Sequence, residues 1–429
     1  DITSNLLKNN KIIEAKIVSN QKAVVAGLLF VKQSFNQVDK KIKFTNVGNL
    51  KRVKLFDESL NSDLQWLGEQ RKLGIFAPKF VFDHVIKQLK ELLAYEDSEN
   101  PLMQVFVRKV NQLDIELAKK EALFKELSSI IETDVKPGYE SILEYMELNY
   151  DNANKNDGVW SLPNGDAFYA SRLRSYTTTD YTAEEIHQIG LSEVARIGER
   201  MKEIFIALGY EVNKPVGEMM NELNENPDFL YADTPDRKEI VIADYNQMVK
   251  EAEIDVKPYF ERFPVSPVEV RAIPEYSEQT AAGGYYQAPS LDGSRPGVFY
   301  ANLYDIKQTP TFGMRTLTFH EAVPGHHFQI ALNQENEDLT MYRKMGYRTS
   351  AFTEGWALYS EQLAVEIGMT KNLYDELGVL QSEMFRANRL VVDTGLHYKK
   401  WSREKAMDYM KKTTGMSDTE VRVEIERYI

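Results

Sequence analysis

The stretch Thr316-Leu-Thr-Phe-His-Glu-Ala-Val-Pro-Gly-His-His-Phe-Gln-Ile330 decides how this chain is read. Three of the six histidines in the sequence, His320, His326 and His327, fall within eight positions here, beside Glu321. A histidine followed directly by glutamate opens the H-E-x-x-H pattern, in which two histidines one helical turn apart hold Zn²⁺ and the glutamate activates water. Here the second histidine is displaced, since His326 follows His320 by six residues, with Pro324 and Gly325 between. An unbroken helix suits neither candidate. His326 would point roughly 120° away from His320, while His327 would be in phase but roughly 10 Å further along the axis. Pro324 makes an unbroken helix unexpected, because it lacks a backbone donor and clashes with the carbonyl four residues earlier. Two residues looped out at Pro324-Gly325 would bring His326 to the place of the second ligand. The plainer alternative is a helix end with two solvated histidines, and it leaves Glu321 without a reason.

A third ligand is expected on a following helix. Ala351-Phe-Thr-Glu-Gly-Trp-Ala-Leu-Tyr-Ser-Glu-Gln-Leu363 reads as a helix start, with Glu354 placed 28 residues after His326. A carboxylate there completes a His₂Glu site with one open position. Glu361, two turns on and on the same face, is the competitor; Gly355 beside Glu354 allows close approach and favours the earlier residue. Glu361 is then expected to orient a ligating histidine, as His327 is held as the alternative ligand. An ordinary surface carboxylate is its plain alternative. The next helix carries Glu383, Arg386, Arg389, Asp393 and His397 as one polar stripe on a segment rich in Leu, Val and Trp. A solvated face is the usual meaning of such a stripe, but a buried one must be paired or functional. The functional reading assigns Arg386 and Arg389 to substrate, Arg389 holding a peptide carboxylate, and His397 or Tyr398 to an oxyanion.

Composition narrows the alternatives. The 429 residues suffice for two or three domains or one large helical enzyme, and 43% hydrophobic residues provide a substantial core. A net charge of −13 argues against nucleic acid as partner. With no cysteine, any metal is held by histidine and carboxylate. The longest apolar run, Ala23–Val31, has nine residues and reads as a buried helix segment, since a bilayer span needs ~20. The chain begins at Asp1, consistent with a removed signal peptide or lipoprotein leader, so a periplasmic or exported protein is expected, with the cytoplasm as alternative.

Residues 1 to about 150 read as helices, with apolar spacing of three and four over Asp63–Leu67, Phe80–Leu93 and Met103–Ile131. Lys40, Lys41, Lys43, Lys51, Arg52 and Lys54 form a basic cluster that reads as a solvated face. Asp151–Asp166, rich in Asn, Asp and Gly, marks a boundary between an N-terminal helical region (1–155) and a catalytic region (156–429), the two being read as one continuous fold. Thr182-Ala-Glu-Glu185 is a capping box opening a long helix through Leu208, in which His187 reads as a packing residue. Val268–Ile273 and Gly297–Asn302 read as strands. Between them, Gly283-Gly-Tyr-Tyr-Gln-Ala-Pro289 offers Tyr285 and Tyr286 to a substrate. Two readings stand for this region: a small sheet whose edge pairs with an extended peptide, or a hairpin flanking the cleft. Ser417-Asp-Thr-Glu420 caps a last helix. The expected fold is mainly α, a large helical metallopeptidase-like body with a small β subdomain next to the active-site helix.

His320-Glu-Ala-Val-Pro-Gly-His-His-Phe-Gln329 resembles the signature of the bacterial domain-of-unknown-function 885 family. The resemblance extends to Trp160-Ser-Leu-Pro-Asn-Gly165, Tyr176-Thr-Thr-Thr-Asp180, Asp292-Gly-Ser-Arg-Pro-Gly297, Glu354-Gly-Trp-Ala-Leu-Tyr359 and Arg389-Leu-Val-Val-Asp-Thr-Gly-Leu-His397, over roughly residues 60 to 429. It implies a zinc peptidase similar to thimet oligopeptidase, carboxypeptidase Taq and angiotensin-converting enzyme, and it points to Glu354 as third ligand. A member of the family is expected to continue past Glu426-Arg-Tyr-Ile429 into a Pro-Gly-Gln-containing helical stretch. The sequence reading is therefore a Zn²⁺-dependent peptidase acting on peptides or small proteins, with His320, His326 and Glu354 as ligands and Glu321 as general base. Two alternatives stand beside it: a non-haem iron enzyme with a 2-His-1-carboxylate site, and an inactive peptide-binding protein. Peptide preference, exo- or endopeptidase action and oligomeric state are not encoded in these patterns.

Overall fold

Among the described residues, Asp63–Leu67 and Phe80–Leu93, where apolar residues recur three and four apart, are helical. The computed structural model describes residues 46–429, apart from residues 97, 275–277, 279–280, 306, 308 and 347–348. The apolar run Ala23–Val31 and Lys40, Lys41 and Lys43 of the basic cluster lie outside the described residues; Lys51, Arg52 and Lys54 belong to the first described helix. By its contacts the chain divides into two compact units, Asp1–Asp157 with Ser161–Phe168, and Gly158–Trp160 with Tyr169–Ile429.

The described part of the first unit is built from α1 (Asn46–Lys72), α2 (Lys79–Leu93), α3 (Pro101–Asn111), α4 (Leu117–Ile130) and α5 (Lys136–Leu148). Phe82, Val85 and Leu89 form one face of α2 and meet Phe106, Val110, Leu127, Tyr139 and Ile142 in a shared core. The long helix expected over Met103–Ile131 is divided between α3 and α4, and Lys120 holds the last carbonyl of α3, at Asn111. α3 starts where Asn100 accepts a hydrogen bond from the Leu102 amide and Pro101 fills the first helical position, which needs no donor. Between α4 and α5 lies a π-turn, Ile131–Val135, directly before Pro137. A residue without an amide hydrogen disturbs the i→i−4 ladder there, and the wider turn absorbs it.

The second unit is mainly α with a small sheet. After α6 (Gly165–Thr177), which begins in the first unit, come α7 (Ala183–Ala207), α8 (Val216–Asn224) and α9 (Arg237–Asp255), followed by β1 (Val268–Ala272), β2 (Gly284–Gln287) and β3 (Gly297–Ala301). Then follow α10 (Thr311–Glu321), α11 (His326–Glu335), α12 (Ser350–Glu366), α13 (Leu373–His397), α14 (Arg403–Thr414) and α15 (Asp418–Tyr428). Capping boxes open α7 at Thr182–Glu185 and α15 at Ser417–Glu420. α7 and α13 run antiparallel: His187 meets Thr394, Arg196 meets Glu383 and Arg200 approaches Glu376. His187 is a buried packing residue, bonded to Thr394 at 2.7 Å and set edge-on to Trp401.

The β region is a mixed sheet in the order β1-β3-β2. β1 pairs parallel with β3, Val268 opposite Gly297, and β2 pairs antiparallel with β3, Tyr286 opposite Phe299. The central strand reads Gly-Val-Phe-Tyr-Ala and is buried at all but Tyr300, as expected of a strand covered on both faces. Phe299 carries the sheet into a core with Tyr245, Met314, Phe319 and Phe328, so the sheet lies against α9, α10 and α11. Among the described residues no helix is long and apolar enough to cross a membrane.

Candidate metal centre

The break that Pro324 imposes sets the geometry of this site. α10 ends at Glu321, the Val323–Pro324 peptide is cis, and α11 begins at His326. Across the break the Phe328 amide donates to the Ala322 carbonyl, six residues back instead of four, so two extra residues are looped out before the ladder resumes with Gln329 to Gly325. Only glycine fits at 325: a Cβ there would lie 2.0 Å from the His320 carbonyl oxygen and 2.3 Å from that of Phe319. The loop's exposed carbonyl, at Pro324, accepts from Trp356 Nε1 at 2.8 Å and Ser360 Oγ at 3.2 Å. These two bonds fasten α12 against the break and bring Glu354 to the two histidines.

His320, His326 and Glu354 converge. Glu354 Oε2 stands 3.6 Å from His320 Nε2 and Oε1 stands 3.7 Å from His326 Nε2. One donor atom from each of the three residues lies within 4.8 Å of the others. Tetrahedral Zn²⁺ with bonds of 2.0–2.1 Å sets neighbouring donors about 3.3 Å apart, and each Glu354 oxygen stands within a few tenths of an ångström of that from the histidine nitrogen it faces. Both histidines are buried, whereas the Glu354 side chain is 54% exposed, which leaves one side of the cluster open. Glu361 is buried and sits 2.7 Å from His320 Nδ1. A carboxylate only accepts, so His320 donates from Nδ1 and keeps the Nε2 lone pair for the cluster.

Electrostatics separate the roles further. Burial and the Arg386 charge push the His320 pKa down, but the Glu354 and Glu361 carboxylates outweigh them and hold it above the ordinary value. His326 is pushed down to about 4, by burial first and then by His320, so at neutral pH its ring offers a lone pair. Interaction with His320 draws the Glu354 pKa down to about 2, keeping this carboxylate anionic. Burial raises Glu321 to about 7, and its enclosed Oε2 has no hydrogen-bond partner. A carboxylate titrating near neutral pH, with an oxygen uncommitted beside a ligand set, is equipped to accept and return a proton.

His327 faces the sheet. Its Nδ1 lies 2.9 Å from the Tyr286 hydroxyl, its ring meets the Ser266 backbone, and burial depresses its pKa to about 4. It ties α11 to β2 and is not among the clustered donors. Tyr286 is engaged by this bond, while Tyr285 stacks on Tyr300 at 4.8 Å on the sheet.

Most of the α13 stripe is paired away from the cluster. Arg389 donates to the Tyr428 hydroxyl at 2.7 Å and to Glu424 at 3.2 Å, and lies over the Phe385 ring. Glu383 pairs with Arg196, and Asp393 accepts from the Tyr169 hydroxyl at 2.6 Å. His397 accepts from the Val159 amide at 3.2 Å and donates to the Tyr428 carbonyl at 3.0 Å, and Tyr398 beside it is exposed. These last two residues stand eleven and twelve positions along α13 from Arg386, about 16–18 Å of helix, so the structure gives them a place remote from the oxyanion role expected of them. Arg386 alone of the stripe touches the cluster, with Nη2 at 3.0 Å from the His320 ring nitrogens. Trp356, Ser360 and Ser382, which brace the site, were assigned no role from the sequence, because each acts through a contact fixed only by the fold.

The bacterial protein family of unknown function DUF885 matches residues 19–429. A candidate lipoprotein of Colwellia psychrerythraea has a crystal structure similar to this chain at a TM-score of 0.87 and 38% identity, over 92% of this chain and 67% of that one. A candidate lipoprotein of unknown function from Shewanella oneidensis is similar in fold at a TM-score of 0.65 and 17% identity, over 93% of this chain and 71% of that one. No curated protein matches the chain significantly.

Proposed function

The chain belongs to the DUF885 family, and on that premise we propose that it is a zinc-dependent peptidase acting on peptides or small proteins. The observation that carries the reading is the joint placement of two buried histidines and Glu354 around one point, with Glu321 next in sequence to a ligand. The donor set of two imidazoles and one carboxylate, closed on the protein side and open toward Glu354, suits a catalytic site with a free position. When bound, zinc supplies Lewis acidity to the scissile carbonyl and to the attacking water. Glu321, buried with one carboxylate oxygen unpartnered, would take the water proton and hand it to the leaving amine. Glu361 keeps His320 in the tautomer and orientation that this requires. The kinship with candidate lipoproteins supports an exported protein working outside the cytoplasm.

Glu321→Gln preserves size and removes the base. The expected outcome is near-normal zinc content and peptide affinity, with turnover lowered at least ~10²-fold. Cleavage at the wild-type rate by zinc-loaded Glu321→Gln protein sinks the mechanism. The same donor set also serves non-haem iron, so metal analysis of the purified protein decides between the two: stoichiometric iron in place of zinc favours the oxygenase.

A further inference from the structure

Arg386 is the member of the α13 stripe that the fold leaves incompletely used. Its Nη1 is anchored by Ser382, at 2.7 Å from Oγ and 3.3 Å from the carbonyl oxygen. Its Nη2 lies 3.0 Å from both Nδ1 and Nε2 of His320. An atom that close to both nitrogens cannot lie in the ring plane without colliding with Cε1, so the guanidinium rests against the ring face. The Nε2 lone pair is left free to point toward Glu354. Glu361 Oε1 is 3.7 Å from Nη2 and already accepts from His320, and Arg386 Nε is enclosed without a hydrogen-bond partner. Among the described residues, Arg386 is the one lysine or arginine whose charge acts on His320, Glu321, His326 and Glu354 alike. The side chain as a whole is 19% exposed.

A guanidinium anchored by Ser382, with Nε unpartnered and Nη2 held only on the face of the His320 ring, suits a carboxylate in charge and geometry. We propose that Arg386 is a substrate-binding residue that takes a peptide carboxylate close to the scissile bond. This deepens the peptidase reading and rests on it for the identity of the bond cleaved. Because the fork touches the His320 ring, the carboxylate it holds belongs to the first or second residue beyond that bond, each residue spanning about 3.3–3.6 Å. A free C-terminus makes the protein a C-terminal exopeptidase. An Asp or Glu side chain in that position makes it an acidic-site endopeptidase. The competing structural role is neutralisation of Glu361, which requires nothing of the substrate.

Titration calorimetry on the zinc-loaded protein separates these roles without relying on turnover. The probes are tetra-alanine as the free acid, tetra-alanine amide, and the amide with glutamate as last residue. The expected result is that one of the two carboxylate-bearing peptides binds about 10- to 100-fold more tightly than tetra-alanine amide, the range for a charge-assisted hydrogen bond. Which one it is names the source of the carboxylate. Arg386→Gln is expected to erase that preference, and Arg386→Lys to restore part of it. Equal binding of all three peptides by the wild type overturns the proposal, and that comparison needs no variant. So does a preference that survives in zinc-loaded Arg386→Gln, since it would then come from the metal. Tight, Arg386-dependent binding of a peptide that is never cleaved removes the peptidase reading and leaves the carboxylate site standing.

Discussion

Glu321 and its neighbours mark how far a single residue can be read from sequence. The run His320-Glu321 and the histidine cluster are local, and local spacing is what a sequence displays. The burial that lifts Glu321 to about 7 comes from distant residues and is invisible there. That shift has a consequence for the metal-free protein. With an ordinary value of 4.5 when unfolded and about 7 when folded, Glu321 holds its proton longer in the native state. The native state is penalised as pH rises from 4.5 through 7, and the penalty is complete above 7. Over this window chelator-treated wild type should therefore lose stability relative to chelator-treated Glu321→Gln, as read by urea unfolding of both at pH 5 and pH 7.5. His320, also raised, leaves the variant a residual slope of the same sign, while His326 and His327, both depressed to about 4, act oppositely below 6.5. Identical slopes in the two proteins would mean that Glu321 is not protonated in the metal-free state. The two α12 carboxylates divide by contact: Glu354 faces both histidines, and Glu361 only the far nitrogen of His320. A competitive zinc titration should find Glu354→Ala the more damaging, with Glu361→Ala weaker by about 10- to 100-fold than wild type. The reverse order exchanges their roles.

At the scale of elements, the proline rule predicted an interruption in the metal-site helix, and the structure has one of two residues' width between α10 and α11. The strands at Val268 and Gly297 were legible from their β-forming residues. Their parallel pairing, and β2 between them in sequence, were not, because Gly-Tyr-Tyr-Gln has no alternation to display. The α13 stripe was legible as a pattern but not as a set of pairs, since its partners Arg196, Tyr169, Glu424 and Val159 lie far along the chain. The interruption itself is testable. Gly325→Ala places a methyl group 2.0 Å from the His320 carbonyl oxygen, and two backbone carbonyls cannot yield as a side-chain tip would. Overpacking of this kind costs about 1–3 kcal/mol. The shift also moves His320 relative to His326, so zinc affinity should fall together with thermal stability. A variant that binds zinc normally would mean that the break does not set the spacing of the ligands.

At the scale of the molecule, the two compact units have separate cores. Phe82, Phe106, Leu127 and Ile142 pack within the first; Phe299, Phe319 and Phe328 pack within the second, the last two close in sequence to the candidate ligands His320 and His326. The sequence displayed the helical character of both, because apolar spacing repeats along nearly every helix. It could not display which helices share a core, since that depends on pairs such as Phe82 with Ile142 or Tyr245 with Phe299. The three candidate ligands, Glu321, Glu361 and Arg386 belong to the second unit. A bound ion therefore stabilises that unit directly, by about 2.7 kcal/mol at free zinc one hundredfold above its dissociation constant. For a body of this size the gain corresponds to roughly 5–10 °C in the unfolding midpoint. Scanning calorimetry with zinc and with chelator should show a metal-dependent transition of that size, and hydrogen exchange should assign it to peptides from α10, α11, α12 and α13. Peptides from α2 and α5 should keep the same protection in both conditions. If chelation instead loosens α2 and α5 as strongly as α10, the two units unfold as one, and the zinc linkage belongs to the whole chain.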